Sequence, residues 1–365
     1  MGHVETGRLD DVAIPQRPIA DPACWMAKDF DDNSDWIYRF AAEDIDEIDA
    51  ALARVKEQRL SILEIRRENF LLPRLSTKLA ALYMELLEGR GFFLLRGFPL
   101  DRYSRQDAAA IFWGIGAYLG HAVSQNKDGY MLGHVVDLGD RAELPEDSGK
   151  GLFLSKKQNV KGNYSNSRFY FHTDHADLVG LLCLHPAESG GESSIASSVA
   201  IHNAILRQRP DLLRALYQPY WTSRQNEIQA GAGPEYLMPV FNCFDGRLLT
   251  HCAPLPIRAC KLHALTPLQD EALALVEAMA DDPAFHLRMQ LEKGDMQFLH
   301  NHTILHTRAA YRDYPEKARR RHLVRLWLVT PHGRSLPHWF YERYGAGRRG
   351  GIYVPGMTEK VVVDV

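Results

Sequence analysis

The sequence is poor in cysteine, and its cysteines follow no metal-binding or redox spacing. Five are scattered through 365 residues, and no two of them are separated by two residues: Cys24, Cys183, Cys243, Cys252 and Cys260. This pattern argues against a disulfide framework and a structural zinc site. The first residues also lack the charged and then apolar pattern of a secretory signal. We therefore expect a protein of the reducing cytoplasm.

Long apolar runs and an excess of one charge are also absent. No apolar run approaches the roughly 18 residues that span a bilayer. The formal net charge is −3 and the isoelectric point is near 6.6, so neither nucleic acid nor an anionic membrane is indicated as a partner. A small-molecule substrate is the remaining expectation, and the composition leaves the oligomeric state open.

The length and the 45% hydrophobic content are sufficient for one large domain. Residues 1–40 are rich in Pro, Asp and Arg without periodicity, which predicts an irregular N-terminal arm. Residues 41–365 are interpreted as a single domain. A glycine-containing stretch near 137–167 is long for a loop inside a compact domain, and it predicts a lid over an active site.

Hydrophobic periodicity predicts helices ahead of and between many short strands. Helices are expected at 43–56, 75–87, 104–120, 200–216 and from Thr266, and strands at 91–98, 168–198, 294–299 and 322–329. This mixture predicts an α+β protein with a mainly β core. A β-barrel or jelly roll with a jacket of flanking helices fits it best.

The most informative short pattern is Phe171-His172-Thr173-Asp174. In a strand, the side chains of His172 and Asp174 point to the same face because side chains alternate with period two. An imidazole nitrogen and a carboxylate oxygen can then converge on one cation. Two histidines and one carboxylate form the facial triad of non-haem Fe(II) oxygenases. The alternative is an ordinary strand end with two hydrogen-bonded polar residues.

A third ligand must come from elsewhere in the chain. The richest candidate segment is 300–308, where His300, His302 and His306 would share one face of an ideal strand. Periodicity alone does not choose among these three histidines.

Two arginines downstream point to a co-substrate. Arg321 and Arg325 are four residues apart and hence share a face of the predicted strand. A buried arginine pair is costly unless each guanidinium meets an anion, and a dicarboxylate would supply both. The alternative is a solvated basic loop that enters a strand, which fits Arg325 poorly because its neighbours are apolar.

Five motifs, in order across roughly residues 80–330, together resemble the taurine dioxygenase/TfdA-like family of Fe(II)- and 2-oxoglutarate-dependent oxygenases. They are Gly91 to Pro99, Phe171-His172-Thr173-Asp174, Gly190-Gly191-Glu192-Ser193, Gly294-Asp295 with Asn301 and His306-Thr307-Arg308, and Arg321 with Arg325-Leu326-Trp327-Leu328. The resemblance implies a double-stranded β-helix (jelly roll, cupin-like) with an iron site in its mouth.

The resemblance also implies roles for individual residues. His172, Asp174 and His306 would bind Fe(II), while Arg321, assisted by Ser193, would bind the distal carboxylate of 2-oxoglutarate. Arg325 would contact either the co-substrate or an anionic group of the substrate. His300 and His302 depart from the usual family residues, and we interpret them as packing or supporting residues.

The activity implied by the resemblance is the oxidation of an unactivated C–H bond of a small polar molecule. Hydroxylation is the outcome that we expect before the alternatives. It consumes O₂ and converts 2-oxoglutarate to succinate and CO₂. Desaturation or ring closure by the same chemistry, and a catalytically silent metal-binding protein on the same scaffold, are the alternatives. The carboxylate at Asp174 disfavours the chlorination of related halogenases, which lack it.

Substrate contacts are expected from loops at the barrel mouth. The candidates are neutral amides, each of which also fits an ordinary loop hydrogen-bonding role: Gln125, Asn126, Asn163 and Asn166. These amides, with at most one spare arginine, suggest an amino-acid derivative or a natural-product intermediate.

Overall fold

The structure, a computed structural model, describes residues 14–137, 164–229, 231–260, 262–344 and 347–364. Most of the predicted lid near 137–167 and the first third of the predicted arm lie outside these residues. The described part of the arm is not wholly irregular, because Ile37–Arg39 forms a strand parallel to Phe92–Arg96. The arm therefore joins the main sheet at its C-terminal end.

The described residues contain sixteen strands, and many of them are short, as predicted. In chain order they are β1 (Ile37–Arg39), β2 (Phe92–Arg96), β3 (His121–Ala122), β4 (Leu132–Val136), β5 (Leu178–His185), β6 (Ser189–Gly190), β7 (Ser193–Ser197), β8 (Pro219–Ser223), β9 (Glu235–Pro239), β10 (Phe241–Phe244), β11 (Arg247–Thr250), β12 (His286–Met289), β13 (Met296–His300), β14 (Ile304–Arg308), β15 (Tyr311–Arg312) and β16 (His322–Val329).

Eight α-helices accompany the strands in the same residues. They are α1 (Ala42–Glu57), α2 (Leu75–Leu87), α3 (Arg105–Gly116), α4 (Ser198–Gln208), α5 (Pro210–Leu216), α6 (Pro254–Arg258), α7 (Pro267–Asp281) and α8 (His338–Tyr344). None of the helices in the described part of the chain is both long and apolar enough to cross a membrane. The chain is thus a mixed α+β protein, as the periodicity predicted.

The largest sheet has seven strands in the order β1-β2-β13-β5-β16-β3, and β4 also pairs with β16. The long strands β5 and β16 run antiparallel over most of their length. Their residues alternate between the two faces with period two. On β16, Val324 and Leu326 pack against the helices α1 to α3, whereas Leu323 and Trp327 face the other way. Arg321 and Arg325 belong to this second face.

A three-stranded sheet, β12-β7-β14, covers that second face. One hydrophobic cluster joins the two sheets, since it includes Val179 and Trp327 of the large sheet and Ile195, Met289 and Ile304 of the small one. The helices α4, α5 and α7 pack on the outer side of the small sheet in a separate cluster. The two sheets therefore share an interior, and the inward side chains of β14 and β16 face each other there.

Several predicted elements differ from the structure for local reasons. The predicted helix 104–120 ends at Gly116, because the amides of Tyr118 and Leu119 bond only three residues back. The predicted helix 200–216 is two helices, because Pro210 lacks an amide proton and opens α5. The N-caps at Ser104 and Thr266 are as predicted, each accepting a bond from the third helical residue.

Two segments that the sequence analysis considered as strands also differ from the structure. His172 makes only a single bridge, to His306, and β5 begins at Leu178. The segment from His300 to His306 is not one strand, because β13 ends at His300 and a turn precedes β14. The assumption that these three histidines share a strand face therefore fails.

The centre of the large sheet predicts one stability effect. Phe298 on β13 is fully buried and packs against Phe93 and Phe112, with ring centroids 5.3 and 5.8 Å away. Phe298→Ala should lower the free energy of unfolding by about 3–5 kcal/mol, since it removes buried area and leaves a cavity. Urea denaturation followed by circular dichroism measures this loss. Leu268→Ala on the exposed face of α7 is the control, and a similar loss there would contradict the assignment of the core.

Candidate metal and co-substrate site

Two histidines from distant parts of the chain are held side by side by their own backbones. The amide of His172 donates to the carbonyl of His306, and the amide of His306 donates back to the carbonyl of His172, both at 3.1 Å. This reciprocal pair fixes both Cα positions without any side-chain contribution. The imidazole centroids lie 4.2 Å apart.

The carboxylate of Asp174 completes the cluster. The Nε2 atom of His172 lies 3.8 Å from Oδ1 of Asp174, and Nε2 of His306 lies 3.5 Å from Oδ2. The three ligand atoms all lie within 4.8 Å of one another. His172, Asp174 and His306 form the one such cluster of three or more potential metal ligands in the described residues.

Hydrogen bonds orient two of these side chains toward the cluster. The Nδ1 atom of His172 lies 3.0 Å from the carbonyl of Tyr170, which can accept only if Nδ1 carries the proton. The lone pair of Nε2 then faces Asp174. Oδ2 of Asp174 accepts from the indole Nε1 of Trp327 at 2.8 Å, and Nη1 of Arg325 lies 3.2 Å from it. Such outer contacts orient ligands in metal sites.

The backbone of Asp174 is held as firmly as its side chain. Asn301 accepts from the amide of Asp174 at 2.7 Å and donates to the carbonyls of Asp174 and Ala176 at 2.8 and 2.7 Å. Nη2 of Arg343 donates to the Asp174 carbonyl at 3.0 Å. A residue outside regular strand structure is thereby fixed by side chains of two other segments.

Burial and charge set the protonation states. Burial, reinforced by the neighbouring His306, lowers the pKa of His172 to about 3. Burial alone would raise the pKa of Asp174, but Arg325 and the two histidines hold that pKa well below its ordinary value. At neutral pH the site therefore offers a neutral imidazole and an ionised carboxylate. These are the protonation states that metal binding requires.

The other two candidate histidines lie elsewhere. Nε2 of His302 lies 3.0 Å from Oδ1 of the buried Asp177, whose Oδ2 accepts from Arg349 at 2.6 Å. Nδ1 of His300 pairs with the Thr303 hydroxyl at 2.9 Å. Both histidines are buried among these polar partners rather than beside Asp174. Sequence periodicity could not decide which of the three histidines is the third ligand.

A second polar group lies at the Arg321 end of the same cavity. Arg321 is 4% exposed, its Nη1 has no hydrogen-bond partner, and burial lowers its pKa. A side chain at Gly191 would meet the guanidinium at 3.0 Å, so glycine leaves room for it. The hydroxyl of Ser193 donates to Gln297 at 3.1 Å. Arg321 and Ser193 both line the cavity, as the predicted co-substrate role requires.

Arg308 is a residue of this group that the sequence analysis named within a motif but to which it gave no role. It follows His306 by two positions on β14 and hence shares its face. Arg308 and Arg321 both lie over the ring of Tyr311, at 4.8 and 5.0 Å from its centroid. Burial and the nearby Arg321 lower the pKa of Arg308 to about 10. Period-two alternation from His306 would have placed Arg308 on the same face as this metal-ligand candidate.

Arg325 and Gln125 form a unit that faces Asp174. Nε of Arg325 donates to Oε1 of Gln125 at 2.9 Å, and Gln125 donates to the backbone carbonyls of Arg325 and Met131. Gln125 lines the cavity but is committed to these bonds. Gln125 therefore orients the guanidinium of Arg325.

The remaining predicted substrate amides are distributed differently. Asn126 does not line the cavity, and its Oδ1 accepts from the amides of Asp128 and Tyr130 within its own turn. Asn166 is exposed and lines the cavity mouth. Asn163 lies outside the described residues. Only Gln125 and Asn166 of the four candidates thus border the cavity in the described structure.

The cavity measures about 850 Å³ and has a strongly cationic lining. Six arginines border it, against three acids: Arg168, Arg224, Arg308, Arg321, Arg325 and Arg343, with Asp137, Asp174 and Glu227. The sequence-based expectation of at most one spare arginine is therefore wrong. Arg224 and Arg343 come from segments with no motif, so no local pattern could have placed them here.

The residues present fit both groups that the resemblance implied. Two imidazole nitrogens and one carboxylate oxygen are the donor set of a facial Fe(II) site with open positions. The unpartnered guanidinium nitrogen of Arg321 fits a carboxylate, which guanidinium binds in a fork geometry. The arrangement can thus hold a metal at one end and a dicarboxylate between the metal and Arg321.

Comparison of the sequence with known proteins agrees with this reading. A sequence model of the taurine catabolism dioxygenase TauD, TfdA family matches residues 56–327. FR-33289 synthase of Streptomyces rubellomurinus is 31% identical over 334 residues, which cover 89% of this chain and 94% of that protein. The taurine hydroxylase-like protein SAT17 of Stachybotrys chartarum is 31% identical over 319 residues, covering 84% of this chain and 79% of that protein.

Solved structures show the same fold at low sequence identity. Asparagine oxygenase in complex with Fe(II), 2S,3S-3-hydroxyasparagine and succinate aligns with a TM-score of 0.63 at 17% identity, covering 87% of this chain and 99% of that one. The non-haem iron oxygenase OrfP in complex with Fe and alpha-ketoglutaric acid aligns with a TM-score of 0.59 at 13% identity, covering 80% and 94%.

The support around Asp174 predicts the effect of Asn301→Asp. The new carboxylate cannot donate to the carbonyls of Asp174 and Ala176, which should cost about 3 kcal/mol of stability. Because Asp174 loses its positioning, Mn²⁺ affinity should fall about 10- to 100-fold, as for other supports of metal ligands. Calorimetry and urea denaturation measure both effects. Asn126→Asp, in a half-buried turn that does not line the cavity, is the control, and unchanged Mn²⁺ affinity in Asn301→Asp would contradict the role.

Proposed function

Because the chain belongs to the taurine catabolism dioxygenase TauD, TfdA family and is a 2-oxoglutarate-dependent non-haem iron dioxygenase, we propose that it hydroxylates an unactivated C–H bond of a small polar molecule at the cluster of His172, Asp174 and His306. The observation that carries the proposal is the convergence of these three ligand atoms within 4.8 Å at one end of a cavity. Desaturation and ring closure are other outcomes of the same chemistry.

We propose a double-stranded β-helix as the finer description of the fold. The face-to-face packing of the seven-stranded and three-stranded sheets supports it, and so does the fold shared with the iron oxygenases. The ligands then lie on the inner faces near one end of the two sheets. Residues 41–365 would form one domain around this interior.

His172, Asp174 and His306 would hold Fe(II), and Arg321 with Ser193 would hold 2-oxoglutarate. When bound, these groups and O₂ supply the oxidation, in which 2-oxoglutarate becomes succinate and CO₂ while the substrate gains a hydroxyl. The protein residues bind and orient. Arg325 keeps Asp174 ionised. The indole Nε1 of Trp327 orients the carboxylate of Asp174 through the 2.8 Å bond that it donates to Oδ2. No side chain in this proposal needs to act as a general acid.

The identity of the relatives bears on the substrate. One curated relative is a uridine-5'-phosphate dioxygenase of Amycolatopsis, 30% identical over 155 residues that cover 41% of this chain. The asparagine oxygenase and OrfP structures contain hydroxylated amino acids. The named molecules of both groups are small and polar, and several are charged, which agrees with the arginines that line the cavity. We propose the same class for this chain.

Anaerobic addition of Fe(II) and 2-oxoglutarate tests the metal site directly. Bidentate chelation by the co-substrate should give a weak visible band at about 500 nm, as expected for this ligand set. His306→Ala should abolish the band because it removes one of three ligands. His302→Gln, which keeps a donor for Asp177, is the control and should retain it. An equal band in His306→Ala would refute the assignment of the third ligand.

Arg321→Gln tests the co-substrate end. The dissociation constant for 2-oxoglutarate should rise at least about 30-fold, since truncating one partner of a buried charge pair costs about 2–5 kcal/mol. Mn²⁺ affinity should stay unchanged, because Arg321 does not contact the three ligands. Arg319→Gln removes the same charge from an exposed position nearby and serves as the control. Equal affinity in the Arg321 and Arg319 variants would exclude this role for Arg321.

A further inference from the structure

Arg343 is a buried arginine without an anionic partner. It lies on α8, outside residues 56–327 that match the family model, and it is 1% exposed. Its Nη2 donates to the Asp174 carbonyl at 3.0 Å and its Nη1 to the Tyr344 hydroxyl at 3.3 Å, while Nε has no partner. Within the described residues, no carboxylate forms an ion pair with it. Buried guanidinium groups are costly without an anion.

Arg224 holds the end of α8 that presents Arg343. Its Nη1 and Nη2 donate to the carbonyls of Arg343 and Glu342 at 2.8 and 2.9 Å, and its Nη1 also donates to Oε1 of Gln229 at 2.7 Å. These acceptors are neutral, so Arg224 adds a second buried positive charge rather than neutralising the first. Its position at the helix C-terminus is electrostatically favourable. Arg224 is therefore a positioning residue, and its charge is partly offset by the C-terminus of α8 and by the charge of Glu342.

The cavity separates this arginine pair from the co-substrate end. Arg308 lies on β14, Ser193 lies on β7 and Arg321 directly precedes β16, and the three residues flank the Tyr311 side. Arg343 lies beside the backbone of Asp174, together with Tyr236 and Gln229 of the cavity wall. A co-substrate with one carboxylate at the metal and one at Arg321 leaves Arg343 uncompensated. The remaining cavity volume borders Ala253, Pro254 and Leu255, which suit a short carbon skeleton.

We propose that the organic substrate carries an oxyanion group, a carboxylate, phosphonate, phosphate or sulfonate, that binds Arg343. This inference rests on the proposed function, because it assigns the substrate end of the same site. The unpartnered Nε of Arg343 and the second N–H of Nη2 form the fork that binds the anion, and Arg224 holds α8 in place. The bond from Arg343 to the Asp174 carbonyl holds the guanidinium, and hence the bound anion, next to the proposed metal. A neutral substrate would leave the buried charge of Arg343 without an anion.

The test uses the full chain loaded anaerobically with Mn²⁺ and 2-oxoglutarate, so that the Arg321 end is filled. Methylphosphonate, methanesulfonate and acetate are then titrated by calorimetry, and their order of affinity distinguishes the kinds of oxyanion. At least one probe should bind saturably to the wild-type protein. Arg343→Met should weaken it at least about tenfold, and Arg343→Lys should fall between, since lysine keeps the charge but loses the fork.

Arg247→Met is the matched control. It removes one positive charge from an exposed position, where Arg247 pairs with Glu88 at 2.7 Å, and it should change probe affinity less than about twofold. Separate titration of 2-oxoglutarate shows whether each variant still has an intact site. Arg343→Met that binds 2-oxoglutarate normally but loses the probe supports the inference and excludes general misfolding.

The opposing outcomes are distinct. Failure of the loaded wild-type protein to bind any probe saturably up to about 50 mM would overturn the inference and leave the proposed function standing. Equal probe affinity in Arg343→Met and wild type would overturn it as well. Failure of wild type to bind 2-oxoglutarate would refute the proposed function instead. In that case the probes are titrated, without metal, into the single variant Arg321→Gln and into the double variant Arg321→Gln/Arg343→Met. Binding to the single variant that is lost in the double variant would still support an anion site at Arg343.

Discussion

The carboxylate of Asp174 is the point on which the site depends. It is 6% exposed and ionised, so its charge must be compensated inside the protein. Arg325 and the indole of Trp327 contact its oxygens, and Asn301 and Arg343 hold its backbone. These partners come from β16, from the turn before β14 and from α8. Packing of the two sheets and of α8 is thereby coupled to the position of one carboxylate.

Alternation along β16 explains how one strand serves both the core and the site. Its helix-facing residues, such as Val324 and Leu326, are buried in the apolar cluster with α1 to α3. Its other face carries Leu323, Arg325 and Trp327, which line the cavity together with Arg321, the residue directly before the strand. The large sheet can therefore be packed on both faces while its inner face also carries charged side chains. The charges on that inner face are tolerated because it borders a cavity rather than a dry interior.

The cationic lining connects the site with the choice of substrate. Ion pairs with acids account for Arg325, which contacts Asp174, and for Arg168, which contacts Asp281 at the rim. The 2-oxoglutarate proposed for Arg321 would account for another. Arg343, which Arg224 holds in place, then has no ion pair with an acid in the described structure. Electrostatic balance, rather than shape alone, therefore narrows the class of substrate that this cavity would accept.

The sequence alone determined the α+β composition, the helix caps at Ser104 and Thr266, and the face shared by Arg321 and Arg325, because these follow from local periodicity and capping chemistry. The family motifs added His306. Only the tertiary structure separated His302 from the site, since the choice depends on Asp177, which is distant in sequence. The tertiary structure alone showed that Arg343 lies beside Asp174. That contact joins residues 169 positions apart through the packing of α8, and no local pattern records such packing.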